Sequence, residues 1–219
     1  MFTFNNVLYK DILEIEDLFI PANKVTCIVG ESGSGKTTLL RLLNKMISPD
    51  EGEIFFHDTP LTNIPAVELR RRVVMLSQVP VIFPGTLEDN LQAGLSFSEK
   101  PLAEGQKLRE ALSLVHLNKD LAGEADKLSG GEKQRLCLAR MMLMEPEVML
   151  LDEPSGALDE DTEELIINSL VNFARDHNKT LIMVTHSKNV ARQYAQQIIE
   201  VRSGKIIRQE EVAGNAGRN

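Results

Sequence analysis

Gly30-Glu31-Ser32-Gly33-Ser34-Gly35-Lys36-Thr37 is the stretch on which the prediction of the fold depends. It satisfies G-x-x-x-x-G-K-[ST] and lies between an apolar run and a helix-like segment that begins at Thr38. Glycines let such a loop curl so that its N–H groups face anionic oxygens, and the following helix adds its positive end. Lys36 supplies a charge to the outer phosphates of a nucleotide, and Thr37 can ligate Mg²⁺. We therefore predict phosphate contacts from Gly30 to Thr38; a merely structural glycine turn is the alternative.

Apolar runs bounded by turn residues recur along the chain and predict strands. Their continuous hydrophobicity is typical of a sheet that is covered on both faces, and helical segments lie between several of them, as parallel connections require. The predicted fold class is α/β with a mostly parallel core sheet and an antiparallel β piece at the N-terminal side. Strands are predicted for Val25–Val29, Glu53–Phe56, Arg72–Leu76, Val148–Leu151, Thr180–Val184 and Ile198–Val201. The antiparallel piece is predicted to contain Phe2–Leu8, Leu13–Ile20 and Glu53–Phe56.

The segment from 86 to 143 shows no strand signal and predicts an inserted helical subdomain. Leu102, Leu108, Leu112 and Val115 recur at helix-like spacing, and glycines interrupt the pattern, among them Gly105. Helices are also predicted for Thr38–Met46 and Glu160–His177, the second with a core-facing stripe of Leu165, Ser169, Leu170 and Phe173. We predict one domain over 1–219, in which 1–85 and 144–219 form the core.

Composition limits the classes of function. The chain has 219 residues, a formal net charge of −8, few aromatic residues and no tryptophan. Since a basic surface supplies most non-specific affinity for nucleic acid, no nucleic-acid partner is expected. Its two cysteines predict buried reduced thiols, and no run approaches the roughly 20 apolar residues that span a bilayer. We therefore expect a cytoplasmic protein, with the membrane part of any membrane process supplied by another chain.

Two carboxylates follow the predicted strand Val148–Leu151. Asp152 and Glu153 lie at the end of a buried strand, where α/β sheets bind ligands, and adjacent strand residues point apart. Asp152 is thus a candidate for the Mg²⁺ shell, and Glu153 is a candidate for polarising the water that attacks the γ-phosphate. Alone, such a pair is more often a helix cap or a solvated turn. The phosphate loop at Gly30 makes the catalytic interpretation the stronger one.

The run Leu128-Ser129-Gly130-Gly131-Glu132, followed by Lys133-Gln134-Arg135, resembles the signature of ATP-binding-cassette proteins. The resemblance covers nearly the whole chain and implies a P-loop NTPase with a RecA-like core. It also implies that two cassettes meet head to tail. Ser129, Gly130, Gly131 and Glu132 would then cover the nucleotide held by the loop of a partner cassette, which is a second copy or a related chain.

The same resemblance implies roles for further residues. Gln78 matches the glutamine that joins the metal and attacking water to the helical subdomain, and His186 matches the histidine that contacts the γ-phosphate. Within Ser155-Gly156-Ala157-Leu158-Asp159, Asp159 matches the aspartate that crosses the dimer interface. Read singly, a Gln is usually a surface residue and a His near a strand end is usually structural. Tyr9 is the candidate for stacking on adenine, with Phe4 or no residue as alternatives.

The implied function is that of an ATP-hydrolysing subunit, dependent on ATP and Mg²⁺, that drives transport through integral-membrane permease subunits at the inner face of the membrane. Lys36, Gln78, Glu153 and His186 are the implied catalytic residues, and Thr37, Gln78 and Asp152 are the implied metal ligands. Soluble cassette ATPases of DNA or ribosomes, and small-molecule kinases or GTPases, are the rival classes. The run from Leu69 to Leu91 is similar to cassettes of exporters, including bacterial metal exporters, which favours export.

Overall fold

The computed structural model describes residues 1–154 and 160–212. Within them, strands β1 to β10 span Phe2–Tyr9, Leu13–Ile20, Val25–Val29, Glu51–Phe56, Thr59–Pro60, Val73–Leu76, Val148–Asp152, Thr180–Val184, Gln197–Arg202 and Lys205–Glu211. Helices α1 to α7 span Lys36–Leu43, Ala66–Arg72, Leu87–Phe97, Gly105–Leu114, Gly130–Leu143, Glu160–Asp176 and Lys188–Tyr194.

Two sheets form the core. The larger has the strand order β10-β9-β3-β8-β7-β6, in which only β10 runs antiparallel to its neighbour. The smaller is antiparallel and has the order β2-β1-β4-β5. The predicted α/β class, with a mostly parallel core sheet and an antiparallel piece at the N-terminal side, is confirmed.

The larger sheet is buried on both faces. Along β7, Met149 and Leu151 join one apolar cluster, whereas Val148 and Leu150 join another. The first cluster contains the cores of α3 to α6, and the second contains α1 and the inner face of the smaller sheet. Because alternate residues of a strand point to opposite faces, continuous hydrophobicity is what a sheet covered on both sides requires.

The segment from 86 to 143 is helical, with one isolated bridge between Thr86 and Glu124 as its only strand-like pairing. Two details of the prediction are wrong. Gly105 does not interrupt a helix but begins α4, and Leu102 precedes that helix and is mostly exposed. The apolar face of α4 consists of Leu108, Ala111 and Leu112 alone.

Two further elements, α6 and β10, differ from the prediction because of their hydrophobic periodicity. In α6 the buried stripe contains Ile166, Ile167 and Leu170, while Leu165 is half-exposed; a helical stripe is about 100° wide, and Leu165 falls outside it. Strand β10 was not predicted, because it lies at the sheet edge and its residues are mainly exposed and polar. Such a strand has no hydrophobic period to detect.

Both cysteines are buried and free, as predicted. Burial raises the pKa of the Cys27 thiol to about 12, so this thiol stays protonated and unreactive. Within the described part of the chain, none of the helices combines the length and apolarity needed to cross a bilayer.

Candidate active site

The loop from Gly30 to Gly35 joins β3 to α1 in a conformation that depends on its glycines. Gly30 has φ +150°, and a Cβ there would lie 2.1 Å from the carbonyl oxygen of Val201. Gly35 has φ +105°, and a Cβ there would lie 2.7 Å from Leu13 Cδ2. Gly35 also starts α1 without a side-chain cap. The first N–H groups of that helix are therefore available to an anion.

Lys36 lies inside this loop. Its side chain is buried, and Nζ donates to the carbonyl oxygens of Gly30 at 2.9 Å and Glu31 at 2.8 Å. Burial lowers the pKa of Lys36, and the nearby carboxylates of Glu153 and Asp152 oppose that shift. A cation held only by carbonyl oxygens, in the hollow of a loop of N–H donors, is placed to pair with a phosphate.

An open cleft of about 470 Å³ lies over the loop. The Ser34 hydroxyl is buried and has no hydrogen-bond partner within the described structure. This hydroxyl lies beside Gly30 and does not line the cleft. The loop N–H groups and the Lys36 cation fit the cleft to the phosphates of a nucleotide; its walls are formed by Ile12, Ser32, Gly33, Gly35, Lys36, Thr37, Thr38, Gln78, Glu153 and His186.

Asp152 is hydrogen-bonded to Thr37, which lines the cleft. Asp152 ends β7, Thr37 lies in the first turn of α1, and the Thr37 hydroxyl donates to Asp152 Oδ1 at 3.1 Å. Burial raises the pKa of Asp152, while the Thr37 hydrogen bond opposes that change. The two side chains offer adjacent hard oxygen atoms, which are the ligands that Mg²⁺ prefers.

Glu153 points away from Asp152 and contacts two other predicted site residues. Its Oε2 accepts from Gln78 Nε2 at 3.1 Å, and its Oε1 lies 2.7 Å from Nε2 of His186. Its backbone adopts φ +49°, a left-handed conformation that costs a non-glycine residue about 1 kcal/mol or more. Strain of this kind concentrates at functional sites. The turn after β7 thus directs the two acids to different partners.

The predicted signature residues do not line this cleft. Ser129 caps α5: its hydroxyl accepts from Glu132 N at 3.3 Å, and Glu132 Oε2 accepts from Ser129 N at 2.9 Å. The Ser129 hydrogen bond, assisted by Lys119 at 3.0 Å, lowers the pKa of Glu132 to about 2. Gly130 has nothing within 4 Å of the position that a Cβ would occupy. The start of α5 is therefore capped, has open space in front of Gly130 and lies outside the lining of the cleft.

Side chains of the helical part hold the segment that follows Gln78. Asn90 is buried; its Oδ1 accepts from Phe83 N and its Nδ2 donates to Phe83 O, both at 2.9 Å. Arg140 donates to Val81 O at 2.5 Å, and its guanidinium lies 4.9 Å from the centre of the Phe83 ring. Val79 and Val81 remain exposed. The segment 79–85 is thus fixed to α3 and α5 while it presents apolar groups outward.

The cleft is lined by a residue that sequence reasoning missed. Ile12 lines the cleft, whereas Tyr9 packs partly against the core, with Lys10 Nζ 5.2 Å from its ring centre. Tyr9 ends β1 and Ile12 lies in the turn that follows, which is closed by the Ile12 N–H to Tyr9 O bond at 3.1 Å. Their shared turn is the signal that could have found Ile12. Phe4 is fully buried, and Ser155–Asp159, with the predicted interface aspartate, lies outside the described residues.

Comparisons with known proteins agree with this arrangement. Residues 13–156 match the family model described as ABC transporter. The chain is 37% identical to ABC transporter I family member 17 of Arabidopsis thaliana over 197 residues, covering 90% of this chain and 74% of that protein. It is 36% identical to Protein STAR1 of Oryza sativa over 199 residues, covering 90% of this chain and 57% of that protein.

A solved structure shows the same fold. A dimeric ATP-binding cassette, MJ0796, in a post-hydrolysis state bound to ADP and Pi, is 29% identical and superposes with a TM-score of 0.86 over 98% of this chain and 100% of that chain. The family match covers more than half of the chain, and the structural match covers almost all of it. The chain therefore belongs to the ABC transporter family, as a cassette that binds and hydrolyses ATP.

Proposed function

We propose that this cassette pairs head to tail with a second copy or a related cassette, closes on ATP, and thereby drives a substrate through separate integral-membrane subunits. One observation carries this proposal. The phosphate loop, Glu153, Gln78 and His186 line one cleft, and Asp152 is hydrogen-bonded to Thr37 of that cleft, whereas the capped signature at Ser129 does not line it. A second phosphate-binding device that its own chain does not use requires another chain.

Phosphate binding is assigned to the loop and to Lys36. The loop amides and the N-terminus of α1 receive the phosphates, and Lys36 exchanges its carbonyl partners for phosphate oxygens. The signature of the partner, equivalent to Ser129–Glu132, completes the enclosure. Removing water from the cleft in this way strengthens every electrostatic contact inside it.

The metal site is assigned to Thr37, Asp152 and Gln78. Among residues 1–154 and 160–212, no group of three or more His, Cys, Asp and Glu side chains forms a metal site. Mg²⁺ commonly needs only one or two protein ligands besides nucleotide phosphates and water, and the Thr37–Asp152 pair fits that need. The bound ion would neutralise charge on the phosphate oxygens.

Hydrolysis is assigned to Glu153 as general base. Gln78 and His186 hold its two oxygens, so the carboxylate is oriented before ATP arrives. A water placed between Glu153 and the γ-phosphate would give up its proton to that carboxylate. The family resemblance implies that His186 contacts the γ-phosphate and Gln78 the attacking water, and both side chains line the cleft beside Glu153.

The membrane subunits are assigned to the segment 79–85. Val79 is 73% exposed and Val81 is 57% exposed, on a segment that begins at Gln78 and is held by Asn90 and Arg140. Docking there would place the partner next to the water-binding glutamine. The chain would then be a peripheral protein at the inner face of the membrane, and its net charge of −8 disfavours a nucleic-acid partner.

The test is ATPase stimulation. Adding the co-purifying integral-membrane protein is expected to raise turnover, and Val81→Asp should abolish that rise without changing basal ATPase activity. Val67, which is 58% exposed on α2, supplies the matched control Val67→Asp. Stimulation by DNA or ribosomes instead would replace the transport proposal with the rival class.

A further inference from the structure

We infer that Gln134 is a positioning residue for Glu153, and that it links the signature helix of a subunit to the hydrolytic carboxylate of the same subunit. The inference deepens the function proposed above and rests on Glu153 as the general base. The juxtaposition that carries it is between the second turn of α5 and the turn that follows β7.

Gln134 makes one long-range hydrogen bond. Its side chain is 1% exposed, and Nε2 donates to the carbonyl oxygen of Pro154 at 2.9 Å. Its Oε1 has no hydrogen-bond partner within the described structure. Leaving a buried polar atom without a partner is costly. The bond from Nε2 to the Pro154 carbonyl is therefore the stabilising contact of this buried amide within the described structure.

The carbonyl that Gln134 holds adjoins a strained residue. Glu153 has φ +49°. Its N–H donates to Val184 O at 3.2 Å, and the next carbonyl, that of Pro154, accepts from Gln134. The turn is thus held on both sides of the Glu153 side chain. Without the hydrogen bond from Gln134 to Pro154 O, the backbone of Glu153 can relax to a commoner conformation and turn the carboxylate away from Gln78 and His186.

The same helix starts at the signature. Ser129 caps α5, and Gln134 lies on that helix within two turns of the cap. A phosphate bound at the cap by a partner cassette therefore acts on a rigid body that also holds the Glu153 turn. The signature cap and the Glu153 turn are thus connected through one helix of the same subunit.

The experiment uses full-length Gln134→Met, which keeps the shape and removes the donor. We expect kcat for ATP to fall roughly 10- to 100-fold, as a misplacement of about 1 Å can cause, with ATP affinity within about twofold of wild type. The matched control is Gln92→Met. It breaks a comparable amide bond to Ala103 O, at 2.7 Å, away from the cleft, and should leave kcat unchanged.

Two further readouts separate positioning from a structural role. In a Glu153→Gln background, Gln134→Met should change the residual rate less than twofold, since both changes disable one group. Gln134→Glu should lose less activity at about pH 6 than at about pH 8, because only a protonated carboxyl can donate to Pro154 O. If Gln134→Met does not fold, the pH dependence of the isosteric Gln134→Glu variant tests the positioning role instead.

The inference is overturned if Gln134→Met keeps normal kcat, or lowers kcat and ATP affinity together, or multiplies the loss caused by Glu153→Gln. Failure of the proposed function is distinguishable, since it would appear as near-normal turnover by Glu153→Gln alone. A slow Glu153→Gln enzyme with a normal Gln134→Met enzyme would remove only the role of Gln134.

Discussion

The two phosphate-binding regions of this chain are built differently. In the phosphate loop, the buried Lys36 side chain donates to the carbonyl oxygens of Gly30 and Glu31. At the start of α5, Ser129 and Glu132 satisfy each other in a closed capping box. The loop thus offers a cation and free N–H groups, whereas the polar groups of the signature are paired with each other. We expect the loop to bind nucleotide in its own chain and the signature to act on the nucleotide of a partner cassette.

The largest expected loss of ATP turnover follows from a substitution in the cleft over the phosphate loop. Glu153→Gln removes the general base but keeps the hydrogen bonds to Gln78 and His186 within reach. We expect turnover to fall by about 100-fold or more, with ATP binding retained. Single-turnover hydrolysis and ATP titration measure the two quantities, and near-normal turnover would remove Glu153 from this role.

The second largest loss of turnover is expected from a substitution in the signature at the start of α5. Ser129→Arg disrupts the capping box and fills the space in front of Gly130, so turnover should fall at least about tenfold. Binding of ATP by the monomer should be unchanged, because Ser129 does not line the cleft of its own chain. Ser113→Arg, on the exposed face of α4, is the control. Weakened ATP binding by Ser129→Arg monomers would contradict the comparison.

A smaller effect is expected at the adenine side. If Tyr9 stacks on the base, Tyr9→Ala should weaken ATP binding about fivefold, corresponding to roughly 1 kcal/mol. Ile12→Ala tests the neighbouring side chain that lines the cleft. Isothermal titration of both variants decides between them, and a larger loss for Ile12→Ala would transfer the assignment to that residue.

The smallest effect is on stability. The pKa of Glu132 falls from 4.5 to about 2 on folding, so the unfolded chain binds this proton more tightly. Its contribution to the free energy of unfolding is complete above about pH 5 and declines as the pH falls toward 2. The stability difference between wild type and Glu132→Gln, measured in urea, should shrink between about pH 5 and pH 3. A constant difference would contradict the assignment, and Glu110→Gln controls for loss of one carboxylate.

Short-range patterns predicted more of this molecule than long-range ones. The loop Gly30–Thr37 and the acids Asp152 and Glu153 follow from local sequence, because strand-to-helix and strand-to-turn transitions place them. The capping box at Ser129 is likewise local. The contact of Gln134 with Pro154 is not, since it depends on how α5 packs beside β7. The roles assigned to Tyr9, Asp159 and the direction of transport remain predictions.

The central claim is that each ATP site is shared between two cassettes, and mixing variants tests it most directly. Lys36→Ala disables the loop side and Ser129→Arg disables the signature side, so each alone should be inactive. Mixed in equal amounts, half of the dimers would contain one intact site, and ATPase activity should recover to on the order of a quarter of wild type. Activity of the mixture no greater than that of the separate variants would contradict the claim.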